Sequence, residues 1–409
     1  MKQYVIIGGG VAAVSCVDGI RSRDPEGKIT MICGEGRTAY CRPLISYCLK
    51  GKSDFGKIDY RPESYYIQNR CKLVYQKAVK IDPIKQTVTL EDGEALPYDA
   101  LCAATGSDPI VPPFEGIDTV SAKYGFLTEA DARALDGAVK PDSRVLIIGA
   151  GLIGLKCAEG LCGRARSVTV CDLAPRVLSS ILDDTCAGFM QKKLEEHGVT
   201  FLLSDTAVRF DSDNAIMQSG RTVSFDILVL AVGVRANVSL IKDIGGECGR
   251  GIIVDDGMRT SIENIYAAGD CTEGFDASLG ERRVIAILPN ANMQGRTAGV
   301  NMAGGSELLT NLIPMNAIGF FGLHALSAGS PSGQAHERKT DAGIKRLYIR
   351  DGYLSGFILI GDITGAGIYT AMIREKTPLS SVDNELLLTL PSLAAFSEQR
   401  RRKVLREVV

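Results

Sequence analysis

Metal-ligand clusters are missing from this sequence. The 409-residue chain has only three histidines, which lie far from one another, and its twelve cysteines form no Cys-x-x-Cys pair. Zinc sites and chain-borne iron–sulfur clusters need such groupings, so neither is expected and no metal site is predicted. We interpret most of the cysteines as small buried side chains in a reducing compartment.

Excess charge and long apolar runs are also absent. The formal net charge of −2 gives no long-range attraction to nucleic acid or to an anionic membrane, so neither is expected as a partner. No apolar run approaches the ~20 residues of a membrane-spanning helix, and no secretory pattern precedes the first strand-like segment, which indicates a cytoplasmic protein. The length and the 45% apolar content are typical of a globular protein of two or three domains.

A glycine-rich turn follows the first apolar run. Residues 4–7 (YVII) predict a strand, a helical segment follows the turn, and residues 28–33 (KITMIC) predict the next strand. Strand, Gly-x-Gly-x-x-Ala, helix, strand and acid form the dinucleotide-binding βαβ pattern. Gly8 is expected to make the tight turn, and Gly10 to let a pyrophosphate approach the helix N-terminus. The residues predicted to contact this nucleotide are Gly8, Gly10, Val11, Ala12, Ala13 and Glu35.

A second copy of the turn begins about 140 residues later, between predicted strands at 144–148 and 167–171. Its acid, Asp172, is expected to accept hydrogen bonds from a ribose diol and to repel a 2′-phosphate, which favours NADH over NADPH. Arg176, four residues further on, could partly offset that preference. The predicted contact residues of this copy are Gly149, Gly151, Leu152, Ile153, Gly154 and Asp172.

Two complete βαβ patterns in one chain predict two dinucleotides. FAD paired with NADH makes chemical sense, because hydride passes between a flavin and a nicotinamide that stack on each other. We therefore expect FAD at the first turn and NADH at the second. The alternative interpretation is that one or both βαβ units serve only for packing.

Three later segments extend the pattern: LCAATGSDPIVPP (101–113), FDILVLAVGVRAN (225–237) and TSIENIYAAGDC (260–271). With them, nearly the whole chain resembles the FAD/NAD-linked reductases of the pyridine nucleotide-disulfide oxidoreductase superfamily. In that family the aspartate of Ala-Gly-Asp touches the ribityl or phosphate part of the flavin, a role that the resemblance transfers to Asp270. The further cofactor-binding residues that it implies are Thr105, Gly106, Gly233, Gly269 and Asp270.

The resemblance also implies an architecture. It predicts an α/β fold with two Rossmann-like dinucleotide-binding domains and a small α+β C-terminal domain. The FAD domain is expected at 1–115 and 240–314, the NAD domain at 116–239, and the C-terminal domain at 315–409. In relatives the third domain covers the flavin or supports pairing of subunits.

The segment at 35–52 (EGRTAYCRPLISYCLKGK) indicates the branch. Its Tyr-x-Arg-Pro-x-Leu-Ser stretch resembles the rubredoxin and ferredoxin reductases and the flavin-carrying N-terminal half of NADH-dependent nitrite reductases, and so do residues 289–305 and 356–381. Some clostridial-type flavoproteins that pair with ferredoxin-like subunits look similar. Arg42 and Pro43 are therefore added to the predicted FAD contacts.

The chain departs from this branch at three points. The branch often has a lysine just after Leu-Ser and a glutamate two residues after the last glycine of the second turn, where this chain has Tyr47 and Lys156. We hypothesise that Lys156 supplies a cation near the reactive edge of the flavin; the alternative is a lysine that extends to solvent. An aromatic residue often found near Gln-Gly-Arg is absent, and the chain has no tryptophan.

Cys41 supports a rival chemistry, because NADH oxidases, peroxidases and coenzyme A-disulfide reductases place a single redox cysteine near this point. Arg42 and the flavin site would stabilise its thiolate; the alternative is a packed thiol. A bridge to Cys48 is not expected, since seven residues on one helix separate the two by about 10 Å along the axis.

The remaining segments indicate structure. Residues 57–99, with an Asp-Gly turn at 92–93, predict hairpins, and 341–361 predicts an antiparallel sheet around Asp351-Gly352. The tail SEQRRRKVLREVV predicts a basic helix with a solvated face.

The sequence thus predicts an NADH-dependent FAD oxidoreductase that passes electrons to rubredoxin or a ferredoxin-like iron–sulfur subunit. Without a metal motif of its own, the chain is expected to find its one-electron carrier in that partner. An oxidase, peroxidase or disulfide reductase that uses Cys41, and a flavoprotein active only within a larger redox complex, are the alternatives. A homodimer, or a place as a subunit of such a complex, is also expected.

Overall fold

The computed structural model describes residues 1–340, 343–389 and 391–406, and in it strands alternate with helices over two segments that are followed by runs of consecutive strands. The strands are β1 (Gln3–Ile7), β2 (Lys28–Ile32), β3 (Cys71–Val74), β4 (Ala78–Asp82), β5 (Thr87–Leu90), β6 (Ala95–Pro97), β7 (Ala100–Ala103), β8 (Ser107–Pro109), β9 (Lys123–Tyr124), β10 (Arg144–Ile148), β11 (Ser167–Asp172), β12 (Val199–Leu203), β13 (Ala207–Asp211), β14 (Asn214–Met217), β15 (Thr222–Ser224), β16 (Ile227–Leu230), β17 (Val234–Ala236), β18 (Ile252–Ile253), β19 (Ile265–Ala267), β20 (Thr272–Asp276), β21 (Glu281–Val284), β22 (Met315–Phe320), β23 (Leu323–Gly329), β24 (Gln334–Thr340), β25 (Gly343–Arg350) and β26 (Tyr353–Ile360).

The α-helices are α1 (Val11–Arg21), α2 (Ile45–Leu49), α3 (Glu63–Gln68), α4 (Glu129–Ala138), α5 (Leu152–Leu161), α6 (Asp184–Glu195), α7 (Ser239–Lys242), α8 (Leu288–Met302), α9 (Ala366–Arg374), α10 (Asn384–Thr389) and α11 (Glu398–Arg406). Within the ranges that the structure describes, no helix is both long and apolar enough to cross a bilayer.

Two five-stranded parallel sheets form the nucleotide-binding halves. Their strand orders are β19-β7-β1-β2-β3 and β12-β11-β10-β16-β9. The central strands β1 and β10 are buried except at their first residues, which explains why each reads as an apolar run instead of an alternating pattern. The predicted α/β class with two Rossmann-like halves is confirmed.

Each half contains a three-stranded antiparallel meander, inserted at the equivalent place along the chain. Strands β4-β5-β6 come between β3 and β7, and strands β13-β14-β15 come between β12 and β16. The hairpins predicted over 57–99 are confirmed, with Gly93 at the turn in the left-handed region (φ +89°). The internal repeat therefore extends beyond the glycine turns to the whole half.

Helix α1 crosses α8 at backbone contact, because glycines stand at the crossing. A Cβ at Gly295 would lie 2.1 Å from the Ala12 carbonyl oxygen, and one at Gly299 would lie 2.1 Å from that of Cys16. No larger side chain fits at these two positions without moving backbone, so the crossing fixes where the N-terminus of α1 lies.

The chain divides into two compact units. The first comprises Met1–Pro175, Gly198–Phe275 and Arg282–Thr310 and contains both parallel sheets. The second comprises Arg176–His197, Asp276–Glu281 and Asn311–Val409. The predicted boundaries near 115, 239 and 314 remain predictions.

The second unit is built on the antiparallel sheet β22-β23-β26-β25-β24. The predicted hairpin at Asp351-Gly352 is confirmed, and both residues have positive φ (+53° and +78°), as a tight turn between twisted strands requires. Of the segment 341–361, positions 341 and 342 lie outside the described residues. The predicted basic tail helix is present as α11, and positions 407–409 likewise lie outside them.

Candidate functional site

The first glycine turn joins β1 to α1 with two glycines in different roles. Gly8 has φ +139°, and a Cβ there would lie 2.0 Å from the Ala104 carbonyl oxygen, so only glycine fits. Gly10 is the N-cap of α1, and a Cβ there would meet no atom within 4 Å. The turn is therefore closed at Gly8, where there is no room for a side chain, and open at Gly10, where the space beside the backbone is empty of protein atoms.

The second turn repeats this arrangement between β10 and α5. Gly149 has φ +115°, and a Cβ there would lie 2.3 Å from the Ala231 carbonyl oxygen. Gly154 is closed as well, because its Cβ would lie 2.0 Å from the Gly149 oxygen, whereas a Cβ at Gly151, the N-cap of α5, would meet nothing within 4 Å.

These observations fit a dinucleotide at each turn. Both N-cap residues are glycines and have no side chain that could accept hydrogen bonds from the first backbone N–H groups of their helices, so these groups are left to a ligand or to water. A pyrophosphate can approach such N–H groups only where no Cβ projects, which is the condition met at Gly10 and Gly151. The other predicted contact residues come directly after the N-caps, in the first turn of each helix. Val11, Ala12 and Ala13 are buried, and Leu152 and Ile153 are half-buried.

Glu35 follows β2 and is held by side chains. Its Oε2 accepts a hydrogen bond from the Tyr40 hydroxyl at 3.0 Å, and its Oε1 pairs with the Arg42 guanidinium. Tyr40 is buried, and burial raises the pKa of its hydroxyl, which therefore stays protonated and able to donate at neutral pH. Arg42 in turn donates to the Tyr40 oxygen at 2.8 Å and to the Leu127 carbonyl at 3.1 Å.

Asp270, of the Ala-Gly-Asp segment, feels the charge of Arg42. Burial raises the pKa of the half-buried Asp270 carboxyl, and the positive charge of Arg42 acts against that rise. The preceding Gly269 has φ +88°, and its N–H donates to the Gln294 Oε1 at 2.8 Å. Pro43 is exposed in the 3₁₀ turn that Arg42 begins. The structure thus pairs Arg42 with Glu35, and the positive charge of Arg42 also acts on Asp270.

Asp172 is held by the backbone of its own glycine turn. Its Oδ2 accepts a hydrogen bond from the Ala150 N–H at 2.7 Å, and its Oδ1 accepts one from the Ala174 N–H at 2.8 Å.

The residue equivalent to Asp172 in the first half is Cys33, not Glu35. The Gly8 N–H donates to the Ile32 carbonyl as the Gly149 N–H donates to the Cys171 carbonyl, so the next residues, Cys33 and Asp172, occupy the same position. Burial raises the pKa of Cys33 to about 12, so a neutral thiol stands where the second half has a carboxylate. The Arg176 guanidinium pairs with Asp184 at 3.0 Å.

The two chain crossings between the halves are paired with each other. Strands β8 and β17 are antiparallel, with Val234 beside Pro109. The Thr105 hydroxyl donates to the Asn237 carbonyl at 2.7 Å, and the Asn237 amide donates to the Thr105 carbonyl at 3.1 Å. Gly106 and Gly233 stand at the two crossings with φ +65° and +125°, where glycine is favoured. Thr105 therefore has a structural partner in addition to its predicted cofactor role.

Lys156 does not extend freely to solvent. Its side chain is 17% exposed, and its Nζ donates to the Glu159 Oε2 at 2.9 Å, with the Tyr47 ring centroid 5.7 Å away. The Glu159 Oε1 accepts a second ammonium, that of Lys50, at 2.7 Å. A lysine–glutamate pair thus joins α2 to α5 after all, three residues later on each segment than in the resembled branch.

Cys41 precedes the 3₁₀ turn and is half-buried. Burial raises the pKa of its thiol, and the Arg42 guanidinium is engaged by Glu35 and Tyr40. These observations favour a packed thiol over a stabilised thiolate. All twelve cysteines are free thiols, and over the described ranges no His, Cys, Asp or Glu group is arranged to hold a metal ion.

Sequence reasoning missed several residues of this site. They are Tyr40, Asn237, Gln294 and Glu159, and each of them holds a predicted residue through a hydrogen bond. Only the spacing of Glu159 from Lys156, three residues on one helix, was a signal that could have been used.

Comparison with known proteins identifies the family. The sequence profile described as pyridine nucleotide-disulphide oxidoreductase matches residues 2–295. The chain is 32% identical over 394 residues to the NADH-dependent phenylglyoxylate dehydrogenase subunit epsilon of Aromatoleum evansii, covering 92% of this chain and 93% of that protein. It is 31% identical to nitrite reductase (NAD(P)H) of Bacillus subtilis over 95% of this chain and 49% of that protein. It is 33% identical to the rubredoxin-NAD(+) reductase of Acinetobacter baylyi over 67% of this chain and 72% of that protein.

Among solved structures, the covalent putidaredoxin reductase–putidaredoxin complex contains a chain that matches with a TM-score of 0.88, 22% identity and coverage of 99% and 98%. At that identity the match shows the fold alone. The family uses FAD and NAD(P)H. The resemblance to the rubredoxin, ferredoxin and nitrite reductases is confirmed. The chain belongs to the pyridine nucleotide-disulphide oxidoreductase family and is an NAD(P)H-dependent flavin oxidoreductase.

Proposed function

We propose that this protein passes electrons from NADH through FAD to a small electron-transfer protein, rubredoxin or a ferredoxin-like iron–sulfur subunit. The observation that carries the proposal is the pair of open N-caps, Gly10 and Gly151. Each lies two residues after a glycine, Gly8 or Gly149, that has a positive φ and no room for a side chain. Both lie in one compact unit of the chain. Two nucleotides can therefore be held by one compact unit that contains both parallel sheets.

The first half would hold FAD. The α1 N-terminus would bind its pyrophosphate, Glu35 its ribose hydroxyls, and Arg42 and Asp270 its phosphate or ribityl part. Arg42 is already paired with Glu35, and its positive charge also acts on the Asp270 carboxylate. The second half would hold NADH on the α5 N-terminus, with its ribose on Asp172.

The chain supplies positioning and charge, and no side chain is needed as acid or base. When bound, the flavin accepts two electrons as a hydride from the nicotinamide and can release them singly. The carboxylate of Asp172, fixed by Ala150 and Ala174, favours NADH over NADPH, because a 2′-phosphate would meet a negative charge.

The proposed acceptor rests on the relatives. One is named a rubredoxin-NAD(+) reductase, and the structural match was solved with putidaredoxin bound covalently. A second candidate is a flavoprotein subunit that is active only within a complex. It is favoured by the relative named as a subunit, which this chain matches over 93% of its length. The oxidase, peroxidase or disulfide reductase alternative depends on Cys41, whose raised thiol pKa is unfavourable for it.

Reconstitution followed by rapid mixing tests the proposal. The purified protein is loaded with FAD, reduced anaerobically with NADH, and then mixed with rubredoxin, ferredoxin, oxygen, peroxide or a disulfide. We expect bleaching of the flavin by NADH and fastest reoxidation by an iron–sulfur or rubredoxin partner. Slow reoxidation until a partner subunit is added would support the complex.

Failure to retain FAD, or a flavin colour that survives excess NADH without oxygen, would refute the whole proposal. Fast reoxidation by peroxide or a disulfide that is lost in Cys41→Ser would support the cysteine chemistry instead. The cytoplasmic location expected from the sequence remains a prediction, which cell fractionation can check.

A further inference from the structure

Glu35 and Asp172 are held in different ways. Two backbone N–H groups bond to the carboxylate of Asp172, which ends β11. Glu35 lies beyond the end of β2, between two glycines, and the hydrogen bonds of its carboxylate come from the side chains of Tyr40 and Arg42. Because glycine leaves the backbone on either side permissive and the Glu35 side chain is 44% exposed, the direction of this carboxylate depends on those two side chains.

The Tyr40 hydroxyl has three hydrogen-bond partners. It donates to the Glu35 Oε2 at 3.0 Å, and it accepts from the Arg42 Nη1 at 2.8 Å and from the Glu129 N–H at 3.1 Å. A hydroxyl has one proton and two lone pairs, so these two donors occupy both lone pairs. Tyr40 is only 5% exposed, and the hydroxyl proton is therefore directed at Glu35.

The donors that fix this hydroxyl are themselves held at the start of α4. The N–H of Glu129 is one of the first four of that helix, which have no carbonyl partner within it. The Leu127 carbonyl accepts from Arg42 at 3.1 Å, and the Glu129 carboxylate pairs with Arg37, whose guanidinium carbon lies 4.5 Å from the Tyr40 ring centroid. All of these residues belong to the first compact unit. A segment of the predicted NAD half thus supports a residue of the predicted FAD half.

The Glu35 carboxylate keeps two acceptor sites for a ligand. Each carboxylate oxygen has two lone-pair sites, and each accepts one protein donor, Tyr40 on Oε2 and Arg42 on Oε1. One site on each oxygen therefore remains, and the adenosine ribose of FAD presents two neighbouring hydroxyl donors. A carboxylate that is already fixed accepts both hydroxyls without a further loss of side-chain freedom on binding.

We propose that Tyr40 is a positioning residue for FAD, whose hydroxyl is directed by Arg42 and by the first N–H of α4 and orients Glu35 toward the two hydroxyls of the adenosine ribose. The inference rests on the proposed function, since it assumes FAD on the first half with its ribose on Glu35. It goes further because it makes FAD affinity depend on a tyrosine that acts through another side chain, and on a helix of the second half.

Removal of one hydroxyl tests the role of Tyr40. Tyr40→Phe keeps the ring and loses only the hydroxyl. Dissociation constants of the apo-protein are measured by flavin fluorescence for FAD and for an FAD analogue whose adenosine ribose lacks both hydroxyls. Tyr98→Phe is the matched control, because Tyr98 is 3% exposed and its hydroxyl has no hydrogen-bond partner among the described residues.

We expect Tyr40→Phe to raise the dissociation constant of FAD about tenfold, which is about 1.4 kcal/mol, and that of the analogue less than about twofold. The analogue is affected less because it offers Glu35 no hydroxyl. Tyr98→Phe should bind both flavins as the wild type does. In a Glu35→Ala background, Tyr40→Phe should have no further effect on FAD affinity, and this background decides if the analogue binds too weakly to be measured.

Glu129→Ala and Glu129→Pro test the helix N–H separately. Both remove the carboxylate, and only proline removes the N–H that donates to Tyr40. Proline is favoured at the first position of a helix, and the preceding Thr128 has the extended backbone (φ −104°, ψ 164°) that a following proline requires. We expect FAD to bind about threefold more weakly to Glu129→Pro than to Glu129→Ala, with equal binding of the analogue.

An equal loss of affinity for FAD and for the analogue in Tyr40→Phe would overturn the inference, since a general loosening of the site predicts it. Unchanged FAD affinity, a Tyr40→Phe protein that does not fold, additive effects with Glu35→Ala, or equal FAD binding by the two Glu129 variants would do the same. Failure of the proposed function is distinguishable, because the wild-type protein would then not retain FAD or would not be reduced by NADH.

Discussion

Gly151 and Gly154 stand three residues apart in the same turn, and the structure predicts opposite consequences for replacing each with alanine. At Gly154 the new methyl carbon would lie 2.0 Å from the Gly149 oxygen and 3.1 Å from its carbonyl carbon. Both atoms are backbone, so a rotamer change cannot relieve the clash. Overpacking of this kind costs about 1–3 kcal/mol, and at about 1–2 °C per kcal/mol for a chain of this size the apo-protein thermal midpoint should fall by a few degrees.

At Gly151 the same methyl group meets no protein atom within 4 Å. The residue has φ −78°, which alanine adopts readily, so the free energy of unfolding should change by less than about 1 kcal/mol. The methyl group would, however, occupy the path by which a pyrophosphate reaches the first N–H groups of α5. We expect at least a tenfold loss of NADH affinity, about 1.4 kcal/mol.

Thermal unfolding by circular dichroism and NADH binding by titration check the two halves of this prediction. Gly137→Ala is a suitable control, because Gly137 lies in α4 and its Cβ would also meet nothing within 4 Å. It should stabilise slightly and leave NADH binding unchanged. Wild-type NADH affinity in Gly151→Ala would refute the placement of the nucleotide, and wild-type stability in Gly154→Ala would refute the steric reasoning.

Further predictions concern the other half and the charges. Gly10→Ala should lose FAD in gel filtration while its apo-protein thermal midpoint stays within a few degrees of wild type; retention of FAD would contradict the open N-cap. Asp172→Ala should raise the KM for NADH at least tenfold and that for NADPH less, and an equal rise for both would remove its role in ribose recognition. Cys41→Ser should keep NADH-dependent electron transfer, and its loss would restore the redox cysteine. Because burial raises the pKa of Asp270, the folded chain binds more protons than the unfolded chain just above the ordinary carboxyl pKa, and its stability falls as pH rises through that window. Apo Asp270→Asn should therefore resist urea better than wild type at pH 7 but not at pH 3; equal resistance at pH 7 would exclude this effect.

The glycine turns could be predicted because their signals are local. At each turn, a short apolar strand, a glycine with positive φ (Gly8 or Gly149) and a helix N-terminus capped by a second glycine lie within a dozen residues. Parallel strands buried on both faces read as apolar runs, so β1 and β10 were also evident. Such features depend on neighbouring residues, and tertiary contacts did not override them.

The acids that follow the turns were harder to compare. Asp172 ends β11, whereas Glu35 lies beyond the end of β2, and the residue equivalent to Asp172 in the first half is Cys33. The offset between Glu35 and the position equivalent to Asp172 depends on how neighbouring strands align across the sheet, which the spacing of residues along the chain does not reveal. The same limit applies to Lys156. The sequence left open whether it meets the flavin or solvent, and its observed partner, Glu159, also binds a lysine from 109 residues earlier.

The sequence by itself determined the doubled βαβ plan, the two open glycine caps and the hairpins, because each depends on backbone geometry and burial within a short segment. Only the tertiary structure decided which charges meet. It paired Arg42 with Glu35, placed Glu159 between two lysines, and brought α1 onto α8 through Gly295 and Gly299. Those contacts join residues far apart in the chain, and their geometry exists only after the sheets and helices have packed.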